Sequence, residues 1–310
     1  MQTTVTPGRP AAERTSARFA GRRRWLGILV PCFVLWLAGC EKPVPPAMPN
    51  PLRIAAGTGQ NTPQIRDSYA PLLRYLSETL GVKTTLIIPS SYDELIARFH
   101  RGEIDLAFFS GVYFVQAEQQ DGAIPLVMRM IDRHATSTII TRSGVEGNFP
   151  EDFRGRSFAY GPRTSTSGSR MPQYFFKQMR LQPEKIFGSV TNFKSHDAVI
   201  AAVVEGRVDL GVVDGPLLRK RVDWNAVDPG QIRVVWESPP YTDYVWAVPS
   251  RLSPELRNRI RDAFLQFDFA NPDQEKILKF LGDRAYVPAT REDYNLIRTI
   301  VTGSPNYSPP

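Results

Sequence analysis

Three consecutive hydroxyl side chains, Ser165, Thr166 and Ser167, precede Gly168 in the segment GPRTSTSGSRMP, and a helix-like apolar pattern follows at once. If a helix begins at about Thr166, its first N–H groups lack intrahelical partners, and the helix dipole adds partial positive charge there. Gly168 lets an anion approach the backbone closely. This arrangement suits a tetrahedral oxyanion such as phosphate, phosphonate or sulfonate. The alternative is a plain helix cap in a Ser/Thr-rich loop.

Strand-like and helix-like patterns alternate from Leu52 onward, which is typical of an α/β fold with crossover helices. Two stretches repeat one unit: SYDELIARFHRGEIDLAFFSG (91–111) and SHDAVIAAVVEGRVDLGVVDG (195–215). Each unit opens with a serine suited to cap a helix, continues through a glycine, and begins a strand at Asp-Leu. Ligands of open α/β sheets bind outside the carboxyl ends of the strands, so we expect both units to end at a ligand cleft.

A polar connection at 141–155 and the loop PPYTD divide this alternation into two series. We therefore expect two α/β lobes with a ligand cleft between them. Lobe 1 is predicted over 52–142 and 239–301, lobe 2 is inserted over 143–238, and a C-terminal tail occupies 302–310.

The N-terminal region has the layout of a secretory signal. Residues 22–40 read RRRWLGILVPCFVLWLAGC, in which arginines precede an apolar run that is short for a membrane span. The ending Leu-Ala-Gly-Cys resembles the lipobox of bacterial lipoproteins. We expect a signal peptide at 1–39, lipidation of Cys40, and a proline-rich tether over 40–51. The lipid would anchor the protein to a membrane, so we expect it in the periplasm or cell envelope. An uncleaved anchor helix is the alternative.

Charge and cysteine content exclude other classes of protein. Residues 1–39 carry six Arg and one Glu, and removing them lowers the net charge from +7 to +2. The basic excess belongs largely to the export segment, which argues against a nucleic-acid partner. Cys32 and Cys40 are the two cysteines of the sequence, so the mature protein has no disulfide. The histidines lack metal-ligand spacing, and we expect no metal and no cofactor.

Five segments in order resemble the phosphate, phosphite and phosphonate-binding proteins of ABC importers. They are YAPLLRYLSETLGV, SSYDELIARFHRGEIDLAFFSG, GRSFAYGPRTSTSG, KSHDAVIAAVVEGRVDLGVVDG and ESPPYTDYVW. The resemblance extends from Leu52 to about Tyr286. It implies the type II periplasmic-binding fold, in which two lobes close over a ligand, and a monomer that passes the ligand to a membrane permease.

The same resemblance implies a set of ligand-binding residues. Ser165, Thr166 and Ser167 match the oxyanion-binding turn of the family, Tyr92 matches a tyrosine that opens a helix of lobe 1, and His196 and Asp243 match residues at the ligand. Phe109 stands where some members have a tyrosine, so a hydroxyl contact would be missing there. Further candidates at the cleft are Ser110, Gly168 and Asp214.

Asp243 bears on the identity of the ligand. A carboxylate repels a dianion, but it accepts a hydrogen bond from a phosphorus oxyanion that keeps one proton, and it suits an ammonium group as well. A phosphoryl group has a second pKa of about 6, so its protonated form is accessible near neutrality, whereas a sulfonate has no such proton. We therefore expect exclusion of sulfonate and sulfate. As the ligand we predict a phosphorus oxyanion, with phosphonate or phosphite ahead of phosphate.

Two other functions remain open at this point. The same cleft would serve a partner of a membrane signalling receptor, because sensing requires only ligand-linked closure. A cell-envelope phosphoesterase would need an activated nucleophile or metals. The sequence by itself places no base beside Ser165 or Ser167, and His196 adjoins Asp197 in the chain, where neighbours on a helix do not face each other. We expect a binding protein and not an enzyme.

Overall fold

The computed structural model describes residues 47–56 and 63–302. Its strands, in chain order, are β1 (Leu52–Ala55), β2 (Thr84–Ile87), β3 (Leu106–Phe109), β4 (Ile124–Arg129), β5 (Ser137–Arg142), β6 (Ser157–Tyr160), β7 (Ser189–Asn192), β8 (Leu210–Asp214), β9 (Ile232–Glu237), β10 (Val245–Val248) and β11 (Tyr286–Pro288). They form a six-stranded sheet in the order β11-β4-β10-β3-β1-β2 and a five-stranded sheet in the order β7-β6-β8-β5-β9.

Helices cover both faces of each sheet. They are α1 (Pro63–Leu80), α2 (Tyr92–His100), α3 (Gly111–Asp121), α4 (Met171–Gln178), α5 (Pro183–Ile186), α6 (His196–Val204), α7 (Gly215–Asp223), α8 (Pro254–Leu265), α9 (Pro272–Leu281) and α10 (Asn295–Thr302). In lobe 1, α1, α8 and α9 pack on one face, and α2, α3 and α10 on the other. Within the described ranges no helix has the length and apolar character needed to cross a membrane.

The repeated unit predicted from the sequence is present once in each lobe, as α2-β3 and α6-β8. Each unit ends its helix near a glycine with positive φ, Gly102 at 71° and Gly206 at 74°. The aspartate that follows accepts a hydrogen bond from a neighbouring parallel strand of its own lobe: Asp105 from Arg53 N–H in β1 at 3.0 Å, and Asp209 from Ser157 N–H in β6 at 2.9 Å. In the Gly-x-x-Asp pattern, the glycine therefore ends the helix, and the aspartate holds the following strand against its neighbour.

Two antiparallel crossings join the lobes. The Tyr241 N–H donates to the Ala135 carbonyl at 2.9 Å, and the Ser238 N–H donates to the Ser137 carbonyl at 3.0 Å. Because β5 pairs with β8 and β9, it belongs to the second sheet. The predicted boundary at 142 is therefore wrong by one strand, and lobe 2 begins after about residue 136. The predicted boundary is too late because the polar connection at 141–155, which marks the predicted start of lobe 2, follows β5 instead of preceding it.

The ends of the described chain also differ from the predicted bounds. Met48 is buried in the core of lobe 1, and Asn50 Oδ1 accepts a hydrogen bond from the Lys83 N–H at 3.1 Å. Residues 48–51 are therefore part of the lobe and not of the predicted tether. Helix α10 continues to Thr302, the first residue of the predicted tail. The predicted signal peptide and Cys40 lie outside the described residues.

Candidate ligand-binding site

The hydroxyl-rich segment forms a helix start after the carboxyl end of β6. Ser165 is the N-cap residue, and its Oγ accepts a hydrogen bond from the Gly168 N–H at 3.0 Å. A π-helical turn (Thr166–Arg170) runs directly into α4, so the predicted helix start at Thr166 is confirmed. The three hydroxyl side chains are buried. The turn therefore presents its hydroxyl groups to the interior of the protein and not to solvent.

The start of α3 in lobe 1 lies against this turn from lobe 2. The Val112 N–H donates to Thr166 Oγ1 at 3.1 Å, and the Gly111 N–H donates to Asp243 Oδ1 at 2.8 Å. The first N–H groups of a helix lack intrahelical acceptors and carry partial positive charge. Two helix starts, one from each lobe, thus meet at one buried region with Asp243 beside them.

Asp243 is fully buried, and its electrostatic surroundings favour the neutral acid. Burial raises the pKa of the Asp243 carboxyl to about 8, and the charge of Asp214 adds to the rise. The Gly111 N–H and the Thr166 hydroxyl act in the opposite direction, but they do not offset the loss of water. At neutral pH this carboxyl therefore holds a proton in the closed cleft.

Several buried polar atoms around the two helix starts have no hydrogen-bond partner within the described part of the chain. They are Ser110 Oγ, Thr138 Oγ1, Ser167 Oγ, Asp214 Oδ2 and Asp243 Oδ2. Each unsatisfied buried group costs about 1–3 kcal/mol, and native proteins keep few of them. Ser110, Thr138, Asp214 and Asp243 lie at strand ends or crossings that border the interlobe cleft, and Ser167 lies in the helical turn after β6. Their donor and acceptor atoms form a polar set that a small polar ligand would satisfy.

His196 orients the turn through its ring nitrogens. Its Nδ1 accepts a hydrogen bond from the Asp214 N–H at 3.2 Å, which leaves the proton on Nε2. Nε2 then donates to Ser165 Oγ, also at 3.2 Å. Burial lowers the pKa of His196, against the opposing charges of Asp214 and Asp197, so the neutral ring persists. We predicted from the sequence that His196 contacts the ligand directly, but in the structure both ring nitrogens are hydrogen-bonded to protein groups.

Two further expectations need correction. A methyl group at Gly168 would lie 2.6 Å from His196 Cε1, so the glycine makes room for the imidazole, and its N–H is already bound to Ser165. Phe109 is fully buried against Phe99, at 5.2 Å between ring centres. Successive side chains of a strand point to opposite faces, and it is Phe108 that faces the cleft.

A cavity of about 370 Å³ lies between the lobes, and Tyr92 is one of its walls. The Tyr92 ring stacks on Tyr113 at 4.4 Å. The other lining residues are Tyr69, Phe108, Arg129, Tyr244 and Gly282 from lobe 1, and Asp214, Pro216, Leu217, Lys220 and Arg221 from lobe 2. Asp214 belongs both to this lining and to the set of buried polar residues at the helix starts.

The contribution of Ser137, in the first crossing, was not predicted from the sequence. Ser137 Oγ donates to the Ser167 carbonyl at 2.7 Å and lies 2.8 Å from the Tyr241 hydroxyl. Both residues are buried, and they connect the crossings directly to the turn. The available signal was the run of hydroxyl residues in ATSTII, which interrupts an otherwise apolar strand.

A family model described as "ABC transporter, phosphonate, periplasmic substrate-binding protein" matches residues 55–294. The chain belongs to this family. It is 26% identical over 269 residues to the "Probable ABC transporter phosphite binding protein PhnD1" of Prochlorococcus marinus (strain MIT 9301), covering 82% of this chain and 91% of that protein. It is 25% identical to the "Phosphate-import protein PhnD" of Mycolicibacterium smegmatis, covering 86% of this chain and 91% of that protein.

Solved structures agree in fold. The structure of Prochlorococcus marinus PhnD1 in complex with methylphosphonate matches with a TM-score of 0.73 and 25% identity, covering 82% of this chain and 98% of that one. A binding-protein component of an ABC phosphonate transporter from Pseudomonas aeruginosa matches with a TM-score of 0.69 and 20% identity, covering 84% and 91%. The predicted α/β fold of two lobes with a cleft, the type II periplasmic-binding fold, is confirmed.

Membership of the phosphonate-binding family confirms the function class predicted from the sequence. The family consists of extracytoplasmic substrate-binding proteins of ABC importers. The individual ligand-binding residues stay predictions, and the geometry gives them unequal support. Ser167, Asp214 and Asp243 combine burial with a polar atom that lacks a partner in the described ranges, whereas Ser165 and Thr166 are engaged with protein groups.

Proposed function

We propose that this protein captures a phosphorus oxyanion, phosphonate or phosphite ahead of phosphate, between its lobes and delivers it to an ABC permease. One observation carries the proposal: Asp243 Oδ2 and Ser167 Oγ are buried without a partner among the described residues, where two helix starts meet. The helix dipoles supply positive potential for the anion. The hydroxyl and the carboxyl supply directed hydrogen bonds.

The Asp243 carboxyl group determines how many protons it shares with the bound ligand. The high pKa of Asp243, about 8, supports a complex in which one proton lies between its Oδ2 and a ligand oxygen. The ligand supplies that proton when it arrives as a P–OH group, and the acid supplies it when the ligand arrives as a dianion. In either case the buried pair carries one proton, and two unshielded negative charges do not face each other.

Other predicted residues take supporting roles in this proposal. Thr166 connects the turn to α3 in the closed form, His196 orients Ser165, and Tyr92 covers the ligand from lobe 1. Asp214 and Ser110 contribute the remaining polar atoms. Closure then buries the anion among fixed dipoles that need no reorganisation.

We also propose that the protein acts in the periplasm as a monomer held by a lipid on Cys40. The Leu-Ala-Gly-Cys sequence that precedes the proline-rich segment supports this location. Labelling with a radioactive fatty acid in cells tests it. Cys40→Ser is expected to abolish labelling, and retention of label in that variant contradicts the anchor.

The ligand assignment is tested by calorimetry with phosphite, phosphate, methylphosphonate, sulfate and methanesulfonate. A bound ligand at a hundredfold excess over its Kd stabilises the fold by about 2.7 kcal/mol, so thermal unfolding supplies an independent readout. Ser167→Ala is expected to weaken phosphonate binding at least tenfold. Ser169→Ala is the matched control, because this buried hydroxyl is already bound to Gln173. Equal affinity of the two variants contradicts a role for the turn.

A further inference from the structure

The interlobe cavity is far larger than a bare phosphorus oxyanion requires. Its volume is about 370 Å³, and its lining includes Asp214, one of the buried polar residues of the site, and Tyr244, the chain neighbour of Asp243. One water molecule takes about 30 Å³ of liquid, and pockets for small organic ligands begin at about 300 Å³. Resting on the proposed function, we infer that the natural ligand is an organophosphonate whose uncharged substituent of several carbon atoms fills this cavity.

The walls on the side of lobe 1 are mostly aromatic, with the Arg129 guanidinium 5.4 Å from the Phe108 and Tyr244 ring centres, and other rings hold them in place. Tyr244 stacks on Phe108 at 5.2 Å with an interplanar angle of 17°. Phe108 in turn lies 4.9 Å from Trp246, which is fully buried. Tyr69 packs edge-on against Phe280 at 5.3 Å. Rings supported in this way form a preformed surface, which binds an apolar group at little cost in side-chain entropy.

The wall from lobe 2 is apolar at its centre. Pro216 and Leu217, at the start of α7, face the aromatic rings across the cavity. Closure therefore brings an aliphatic surface and an aromatic surface together with space between them. A substituent in that space would be buried on both sides, whereas methylphosphonate or phosphite would leave it filled with water.

The basic side chains that line the cavity are engaged with protein groups outside its lining. Arg129 makes two hydrogen bonds of 2.6 Å with Asp132, and Arg221 makes two with Asp197 at 2.8 and 2.7 Å. Lys220 Nζ donates to the Phe280 carbonyl at 2.5 Å. The remaining charges, Lys220 and the free Asp214 oxygen, are of opposite sign. The surroundings thus favour a neutral substituent over an ammonium or a carboxylate.

A series of ligands tests the inference by calorimetry on the purified protein. The compounds are phosphite, methyl-, ethyl-, propyl-, butyl- and phenylphosphonate, together with 2-aminoethylphosphonate and phosphonoacetate. Burial of each methylene group contributes about fourfold in affinity, so butylphosphonate is expected to bind about fiftyfold more tightly than methylphosphonate. Neither charged compound is expected to exceed propylphosphonate.

Two variants separate the cavity from the anion site. Leu217→Trp fills the cavity and is expected to abolish the gain from butyl and phenyl groups, while methylphosphonate affinity, the internal control for folding, changes less than threefold. Phe108→Leu removes a ring wall and is expected to weaken phenylphosphonate selectively. Equal affinity for phosphite and all alkylphosphonates, or tighter binding of either charged compound, overturns the inference. Failure of every phosphorus compound to bind instead refutes the proposed function.

Discussion

Replacing Asp243 by Asn is expected to remove most of the discrimination between phosphonate and sulfonate. The amide keeps the size of the carboxyl group and hydrogen-bonds to an oxyanion without gaining or losing a proton. In the wild-type protein, by contrast, the complex contains one proton between Asp243 and the ligand. The source of that proton decides the affinity at a given pH.

The magnitude follows from the two proton donors. Suppose that opening the cleft restores water to Asp243 and so returns its pKa to the ordinary value near 3.8; protonating it at pH 7 then costs about 4 kcal/mol. A sulfonate, which has no proton to bring, must meet that whole cost. A phosphoryl ligand with a second pKa of about 6 meets only about 1.4 kcal/mol, and an alkylphosphonate, which is a weaker acid, meets less. The wild-type protein should therefore prefer methylphosphonate over methanesulfonate by about two orders of magnitude at pH 7.

The assay is calorimetric titration of both ligands between pH 5 and 8.5, in buffers that differ in ionisation enthalpy. Methanesulfonate binding should take up one proton and weaken about tenfold per pH unit across the range. The affinity for methylphosphonate should be independent of pH up to the second pKa of this ligand and should fall similarly above it. In Asp243→Asn both slopes should vanish, and the preference should fall below tenfold.

Two results would refute this reasoning. Equal pH slopes for the two ligands in the wild-type protein would show that Asp243 is not protonated on closure. A preference above a hundredfold in Asp243→Asn would show that other groups distinguish phosphorus from sulfur.

The remaining predictions concern the support of the turn. Gly168→Ala places a methyl group 2.6 Å from His196 Cε1. Phosphonate affinity should therefore fall at least tenfold, and the Tm should fall as well. Unchanged affinity would mean that the turn tolerates displacement of the His196 ring. His196→Gln keeps one acceptor and one donor, so affinity should change less than fivefold. Burial lowers the pKa of His196, so the stabilisation by its neutral ring is present above about pH 6.5 and is lost as the pH falls. The difference in unfolding free energy between wild type and His196→Gln should therefore shrink towards acid pH. A difference that stays constant with pH contradicts the neutral ring. Ser195→Ala removes the cap of α6, whose Oγ accepts from Ala198 N–H at 3.1 Å, and should cost about 1 kcal/mol in urea unfolding; no loss would show that water replaces the cap.

Local patterns predicted the parts of the fold that local physics decides. The caps at Ser91 and Ser195 and the helix ends at Gly102 and Gly206 were readable because each depends on residues within one turn. The helix start at Thr166 was readable for the same reason.

Pairing between segments that are distant in the chain could not be predicted from local sequence patterns. The assignment of β5 to lobe 2 depends on its partners β8 and β9, which lie about 70 to 100 residues away. The role of His196 likewise depends on Asp214 and Ser165, which reach it from two other elements. A histidine at a helix start looks the same in sequence whether its nitrogens face a ligand or the protein.

The central claim is that a phosphorus oxyanion binds where the two helix starts meet, and a crystal structure with methylphosphonate tests it most directly. The account predicts the phosphonate oxygens within hydrogen-bond distance of Ser167 Oγ and Asp243 Oδ2. An anion bound elsewhere, with these two atoms still unpaired, would contradict it.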